Sequence, residues 1–181
     1  MEFLALAKER FSVRKYKDQM VEKEKIMRCL EAAWIAPSAC KSQPWTFIVV
    51  DDPELKDKVA RETYSKLVSF NKFVQKAPVI VVIVIEKPKL ITQVGAHLKN
   101  KEYPLIDIGI AAEHFCLQAE EEGLGTCMIG WFNEKPIKKL LGIPEKRTIG
   151  FLITVGYAPE GYRQRKKIRK SMDEMSTFNK Y

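Results

Sequence analysis

Histidine and paired cysteine are scarce in this chain of 181 residues. It has two histidines, and its four cysteines, Cys29, Cys40, Cys116 and Cys127, lie far apart without a CxxC pair. Their spacing supplies no ligand set for a metal ion, and no thiol has a nearby histidine that would favour a nucleophile. We therefore expect no metal site and four reduced cysteines, most of them buried.

Long apolar runs are also missing. No uninterrupted stretch reaches the roughly 18 apolar residues that a membrane-spanning helix requires. Residues 1–10 alternate charged and apolar side chains, and they lack the apolar region and cleavage site of a signal peptide. The sequence therefore predicts a cytoplasmic protein with no membrane partner.

What the chain does contain is typical of one globular domain over residues 1–181. Hydrophobic residues make up 46% and charged residues 30%, with no internal repeat or low-complexity tract. The net charge of +8 indicates that the protein attracts anions. Charge alone does not separate nucleic acid, phosphate-bearing cofactors and acidic membranes.

Hydrophobic patterning predicts both helices and strands. A helical stripe of Ile26, Met27, Leu30, Ala33 and Trp34 predicts a helix over 21–35, and a second stripe of Leu105, Ile108, Ala112, Phe115 and Ala119 predicts a long one. Asp52 and Pro53 predict the start of a third. Strands are predicted over 46–51, 78–85 and 149–157, and the β-branched run of 78–85 favours the middle of a sheet. Residues 87–103 lose periodicity, which predicts a loop or a mobile lid.

Two segments carry polar groups that could hold a ligand. Residues 36–45 turn between two prolines and present Ser38, Lys41, Ser42 and Gln43 where a following strand can fix them, although an ordinary connection has the same appearance. Residues 10–14 read Arg-Phe-Ser-Val-Arg. In an extended chain the two guanidiniums and the hydroxyl share one side, which suits a phosphate or another planar anion, or else a solvated basic edge.

Two later segments are less specific. Gly123, Gly125 and Gly130 let backbone amides approach a ligand closely, but they do not form a GxGxxG motif after a strand. The basic run 163–170 is by default a solvated tail or a weak polyanion site. No aromatic residues interleave it in a nucleic-acid-stacking pattern, so we expect no nucleic-acid partner.

Five of these segments, taken in order, resemble the nitroreductase family, whose members are FMN-dependent oxidoreductases that use NAD(P)H. The motifs are Arg10-Phe11-Ser12-Val13-Arg14, Ala36-Pro37-Ser38-Ala39 with Gln43-Pro44-Trp45, Gly123-Leu124-Gly125-Thr126, Val155-Gly156-Tyr157 and Lys167-Ile168-Arg169. The resemblance implies an α+β fold of three layers, with a mostly antiparallel central sheet wrapped by helices. It also implies an intertwined homodimer with two FMN sites at its interface.

The resemblance further implies roles for individual residues. Arg10, Ser12, Lys167 and Arg169 would bind the FMN phosphate, and Arg14 would lie by the pyrimidine edge of the flavin. The segment after Ile129 would direct the backbone amide of Gly130 at the flavin N5. The turn would lie along the ring and the ribityl chain through Pro37, Ser38, Ala39, Lys41 and Gln43. Lys41 departs from the family, in which Asn is common.

The implied activity is a ping-pong reaction in which NAD(P)H is the electron donor and a nitroaromatic, a quinone or a related small molecule is the acceptor. No catalytic side chain is expected, because the cofactor carries the reaction. Three alternatives remain open: a flavin-storing module without turnover, a specialised flavin enzyme such as a reductive dehalogenase, and a nucleic-acid-binding protein.

Overall fold

The computed structural model describes residues 2–65, 69–88 and 101–181. Its helices are α1 (Phe3–Glu9), α2 (Lys23–Trp34), α3 (Pro53–Arg61), α4 (Tyr103–Glu121), α5 (Glu134–Leu141) and α6 (Met172–Met175). Its strands are β1 (Trp45–Val50), β2 (Val79–Ile85), β3 (Gly125–Ile129) and β4 (Thr148–Gly156). Short 3₁₀ turns lie at Ala39–Lys41 and Lys72–Lys76.

The strands form an antiparallel sheet in the order β1-β2-β4-β3. Strand β2 lies inside the sheet and is buried on both faces, as its β-branched run predicts. Its side chains alternate between two cores, one against α2 and α4 and the other against α3 and α5. The sheet is therefore the middle layer of three, and the predicted α+β fold is confirmed.

Strand β3 is an edge strand that the sequence analysis does not predict. Its Thr126 carbonyl accepts a hydrogen bond from the Val13 amide at 2.8 Å, and Ser12 forms a parallel bridge to Thr126. A Cβ on Gly125 would come within 2.5 Å of a Val13 methyl carbon. Gly125 thus admits the side chain of Val13 rather than a ligand, and it fixes residues 11–13 along the edge of the sheet.

Helix α2 buries a different stripe from the predicted one. Ile26 and Ala33 are buried as expected, together with Cys29, but Met27 is 55% exposed and Trp34 is 65% exposed. Leu105 at the start of α4 is also 49% exposed. Helices α2 and α4 pack against each other, and Leu30 packs against the core between them, whereas Met27, Trp34 and Leu105 remain exposed.

The remaining local predictions have mixed outcomes. Asp52 caps α3 by accepting a hydrogen bond from the Leu55 amide at 2.8 Å, as predicted. Strand β1 is half-buried, with Thr46 exposed, because it forms the other edge of the sheet. Most of the predicted lid, including His97, lies outside the described residues.

The cysteines agree with the expectation of reduced, mostly buried thiols. All four cysteines are free thiols, and only Cys40 is exposed. Burial raises the pKa of Cys29 and of Cys116 to about 12, so these thiols are inert near neutral pH. Within the described part of the chain, no helix combines the length and the apolar character needed to cross a membrane.

Candidate functional site

The C-terminal tail folds back along the start of the chain and encloses a cavity of about 290 Å³, which we call the cation cavity. Its lining combines residues 10–12 and Arg14 with residues 162–169. Seven of these lining residues are cationic, and none is acidic: Arg10, Arg14, Arg163, Arg165, Lys166, Lys167 and Arg169. Such a cavity is suited to a multiply charged anion.

Contacts within the chain hold both walls of the cation cavity. The Lys167 ammonium donates to the carbonyls of Ala7, Lys8 and Arg10, which lie at the end of α1. Gln164 donates to the Glu9 carbonyl at 2.7 Å. Because the ends of helices present unpaired carbonyls, a lysine and an amide here satisfy groups that water would otherwise solvate.

Tyr162 fixes the other end of the tail. Its ring stacks on Phe11 with centroids 6.0 Å apart, and its hydroxyl accepts a hydrogen bond from the Arg14 amide at 3.2 Å. The residues that join Arg10 to Arg14 are therefore held between β3 on one side and Tyr162 on the other. The positions of the two guanidiniums follow from this packing.

The positive charges that line the cation cavity repel one another. Burial lowers the pKa of Lys167, and the positive charges of Arg10 and Arg169 lower it further. One carboxylate relieves part of this repulsion, because Glu113 Oε1 lies 2.9 Å from Arg10 Nε. An anion that entered the cavity would remove more of the repulsion, and its binding is favoured for that reason.

A second cavity of about 510 Å³ lies where β3 ends, and we call it the strand-end pocket. It is lined by Arg14, Phe70, Asn71, Cys127, Met128, Ile129, Gly130, Trp131 and Arg165. A Cβ built on Gly130 would meet no atom within 4 Å, so the backbone there borders open space. Arg14 and Arg165 line both cavities, so the two cavities lie next to each other.

Residues 36–45, which we call the bracketed turn, are held by other contacts and do not line either cavity. Cys40, Lys41 and Gln43 have φ values of 53°, 52° and 44°, which are strained for residues with a side chain. The Asp107 carboxylate accepts a hydrogen bond from the Ala39 amide at 3.1 Å, and Gln43 donates from its side chain to the Trp34 carbonyl at 2.7 Å. These contacts hold the turn on the first part of α4 and the end of α2.

The structure therefore brings together part of the predicted site. Arg10, Ser12, Arg14, Lys167 and Arg169 line the cation cavity, while Ile129 and Gly130 line the strand-end pocket. The turn residues Pro37, Ser38, Ala39, Lys41 and Gln43 line neither. Asp107 holds the turn, and Glu113, which pairs with Arg10, lies about 9 Å further along α4 and on a different side of that helix.

Sequence reasoning missed the neighbours that complete the site. Tyr162 and Arg165 belong to a stretch that resembles a solvated tail, and Glu113 lies within a helix whose pattern signals only burial. Phe70 could have been found as a large apolar residue in a polar segment, whereas Trp131 lies between Gly130 and Phe132 and carries no such signal. Among the described residues, no group of histidine, cysteine and acidic side chains could hold a metal ion.

Comparison with known proteins identifies the family of this chain. The family model described as "Nitroreductase family" matches residues 7–157. The chain belongs to the nitroreductase family. Most of the residues that resemble the family's motifs fall inside the matched range, and the basic run that closes the cation cavity follows it.

Relatives of this nitroreductase-family chain cover most of its length. It is 32% identical over 164 residues to a putative NADH dehydrogenase/NAD(P)H nitroreductase of Archaeoglobus fulgidus, covering 86% of this chain and 85% of that protein. It is 26% identical over 172 residues to an iodotyrosine deiodinase of Thermotoga neapolitana, covering 84% and 86%. An FMN-dependent nitroreductase structure from Clostridium difficile matches with a TM-score of 0.77 and 31% identity, covering 99% of this chain and all of that one. These similarities identify the protein as an oxidoreductase.

Proposed function

We propose that this protein binds FMN and catalyses ping-pong electron transfer from NAD(P)H to a small acceptor such as a nitroaromatic or a quinone. One observation carries the proposal: a cavity suited to a phosphate adjoins, at Arg14, a pocket where the backbone of Gly130 borders open space. A nucleotide cofactor has this shape, with a charged phosphate at one end and a planar ring at the other. When bound, FMN supplies hydride and electron transfer at its ring.

The cation cavity fits the phosphate of FMN by charge and by donor type. A phosphate monoester carries about −1.5 to −2 charges at neutral pH. Arg10, Arg169 and the hydroxyl of Ser12 would donate to its oxygens. Lys167 would contribute its positive charge without a hydrogen bond to the phosphate, because its ammonium already donates to three carbonyls.

The residues of the strand-end pocket would orient the ring. The Arg14 guanidinium would lie at its polar edge, and the Gly130 amide would face its reacting edge. Positive charge beside the ring favours the form with added electrons, and this effect is strongest where water is excluded. No side chain of the site is required to act as an acid or a base.

We further propose that the site is completed by a second copy of the chain. The turn at 37–43 sits beside exposed apolar side chains on two helices, namely Met27, Trp34, Ile35, Leu105 and Ile106. An apolar surface of this kind is typical of a homodimer interface. A partner that covered it would lie directly against the turn, which would then meet the partner's strand-end pocket.

The first test is the visible absorption spectrum of the freshly purified protein, followed by identification of the chromophore that denaturation releases. Flavin bands with FMN released are expected. A colourless protein that also fails to take up added FMN would refute the cofactor assignment. Bleaching by NADPH or NADH under anaerobic conditions is expected, and a flavin that neither donor bleaches would favour the storage module.

The substitution Arg14→Ala tests the placement of the ring. It should lower the midpoint potential of the bound flavin, because it removes a positive charge that favours reduction. Spectroelectrochemical titration measures this potential directly. An unaltered potential in a variant that still binds FMN would show that Arg14 does not lie beside the ring.

The name of one relative suggests a second reaction. A relative is named iodotyrosine deiodinase, so reductive dehalogenation on the same scaffold is the alternative function. Release of iodide from iodotyrosine with a reduced flavin would support it. Turnover of nitroaromatics and quinones without iodide release would favour the proposed activity.

A further inference from the structure

The cation cavity holds more positive charge than a phosphate requires. With Arg10, Lys167 and Arg169 assigned to the phosphate and Arg14 to the ring, three cations of the lining have no assigned partner: Arg163, Arg165 and Lys166. Of these three, only Arg165 also lines the strand-end pocket. Across residues 2–65, 69–88 and 101–181, the structure gives the Arg165 side chain no ion pair and no hydrogen bond. Its guanidinium is therefore available to a ligand in that pocket.

Two exposed aromatic side chains stand in the same pocket. Phe70 is 65% exposed and Trp131 is 59% exposed. Their ring centroids lie 6.4 Å apart with an interplanar angle of 62°. Exposure of two large aromatic rings in contact is costly in water, and it is typical of a surface that stacks on a flat ligand.

The backbone under these aromatic rings is fixed. Asn71, which is 5% exposed, donates from its side chain to the Trp131 carbonyl at 3.1 Å. Two residues further on, the Asn133 amide donates to the Glu62 carbonyl at 2.7 Å. The aromatic pair is consequently presented by an ordered segment, so that little conformational entropy is lost when a ligand stacks there.

We propose that the strand-end pocket selects planar aromatic acceptors that carry a carboxylate, with the ring against Trp131 and Phe70 and the carboxylate on Arg165. This proposal rests on the proposed function, and it names the class of acceptor. A pocket of about 510 Å³ has room for a substituted ring. We assign Arg165 to the acceptor, and the test below separates this role from a contact with the phosphates of NAD(P)H.

The reaction expected for such an acceptor is the reduction of 4-nitrobenzoate. The nitro group takes up two electrons and two protons, one N–O bond breaks, and water leaves, which yields 4-nitrosobenzoate. NAD(P)H supplies a hydride and becomes NAD(P)⁺, and solvent supplies the second proton. The carboxylate takes no part in the chemistry and serves only for recognition.

The test compares 4-nitrobenzoate with its methyl ester, which has the same ring and no charge. We expect Arg165→Gln to lower kcat/KM for 4-nitrobenzoate by about fivefold to tenfold, since a charge-assisted hydrogen bond is lost at an exposed position. For the ester the change should stay within about twofold. Lys170→Gln is the matched control, because it removes one charge from the same basic run but lines neither cavity.

Several results would overturn the proposal. Equal loss for acid and ester, no loss for either, or loss confined to kcat/KM for the donor would each remove the acceptor carboxylate from Arg165. Weaker FMN binding in Arg165→Gln would assign this residue to the cofactor instead. Failure of the proposed function is distinguishable, because the wild-type protein would then lack FMN or fail to reduce even the ester.

A second variant examines the aromatic surface. Trp131→Ala should lower kcat/KM several-fold for both nitro compounds, because the stacking surface is lost, and Trp131→Phe, which keeps an aromatic ring, should restore most of it. An equal loss in Trp131→Phe would mean that Trp131 only supports the structure of the pocket, and would refute stacking.

Discussion

The cation cavity and the bracketed turn carry equally many predicted site residues, yet the chain builds them in opposite ways. The cavity is closed by the chain itself, because Lys167 and Tyr162 attach the tail to the segment that follows α1. The turn carries backbone strain and is held by Asp107, and its residues line neither the cation cavity nor the strand-end pocket. Under the proposed function, one half of the site would be complete in a single chain, and the second copy would complete the other half.

The largest effect on FMN binding is expected when the proposed second copy of the chain is removed. Trp34→Lys places a charge in the exposed apolar surface beside the turn, and we expect a monomer in sedimentation equilibrium. FMN affinity should fall about a hundredfold, because several hydrogen bonds of about 1 kcal/mol each are lost with the partner's turn. Gln43 bonds to the backbone of Trp34, so the turn itself is retained.

Met20→Lys is the matched control for this experiment, since Met20 is 67% exposed but lies outside α2 and α4. It should leave both the oligomeric state and FMN binding unchanged. A monomeric Trp34→Lys variant that binds FMN as tightly as the wild type would contradict a shared site.

A smaller effect on FMN binding is expected at the cation cavity, which a single chain encloses. Arg10→Ala should weaken FMN binding by about tenfold to a hundredfold, because hydrogen bonds to charged groups contribute about 1.5–3 kcal/mol. The fold should remain, since the Glu113 side chain that loses its partner is 43% exposed and can be hydrated. Fluorescence titration of the apoprotein with FMN measures the affinity.

Lys17→Ala serves as the control for Arg10→Ala. Lys17 is a nearby cation paired with Glu160 at 3.5 Å, and it does not line the cation cavity. Unchanged FMN affinity in Arg10→Ala, or an equal loss in both variants, would contradict a specific phosphate contact.

The smallest effect concerns the strain of the turn. Lys41→Gly should raise the free energy of unfolding by about 0.5–1 kcal/mol, because glycine adopts a φ of 52° without the clash of a Cβ. FMN affinity should fall by about threefold at most, since an exposed charge is lost. Urea unfolding and FMN titration measure the two quantities.

Lys41→Ala separates the two effects, because it removes the charge and keeps the Cβ. It should reproduce the loss of affinity without the gain in stability. If Lys41→Gly gains no stability, the turn is not strained at this residue.

The sequence predicts well those features that depend on local pattern. The central strand follows from its β-branched run, the start of α3 follows from Asp52 and Pro53, and the alternation of residues 10–14 singles out a segment that lines the cation cavity. The segment that becomes β3 escapes prediction, because its short, glycine-containing sequence also fits a ligand-binding loop. Only the packed Val13 shows why Gly125 is there.

Other features could not be predicted because they depend on distant contacts. A hydrophobic stripe does not reveal which of its residues face the chain's own core, and Met27 and Trp34 are exposed although they belong to the stripe. Likewise, no local pattern indicates that a tail lysine donates to carbonyls at the other end of the chain. The family resemblance names seven residues that line the two cavities, but it does not show that the turn residues line neither of them.

The contact between Lys167 and the Arg10 carbonyl also constrains the order of events during synthesis, since the two residues lie 157 positions apart. Residues 10–14 leave the ribosome before the elements that hold them. They have no strand to pair with until β3 emerges, and no closing wall until residues 162–169 follow. Such non-local contacts form late, because a long loop must close before they are gained. Residues 10–14 therefore reach their final positions only after the basic run has been translated, and the cation cavity cannot form before that point.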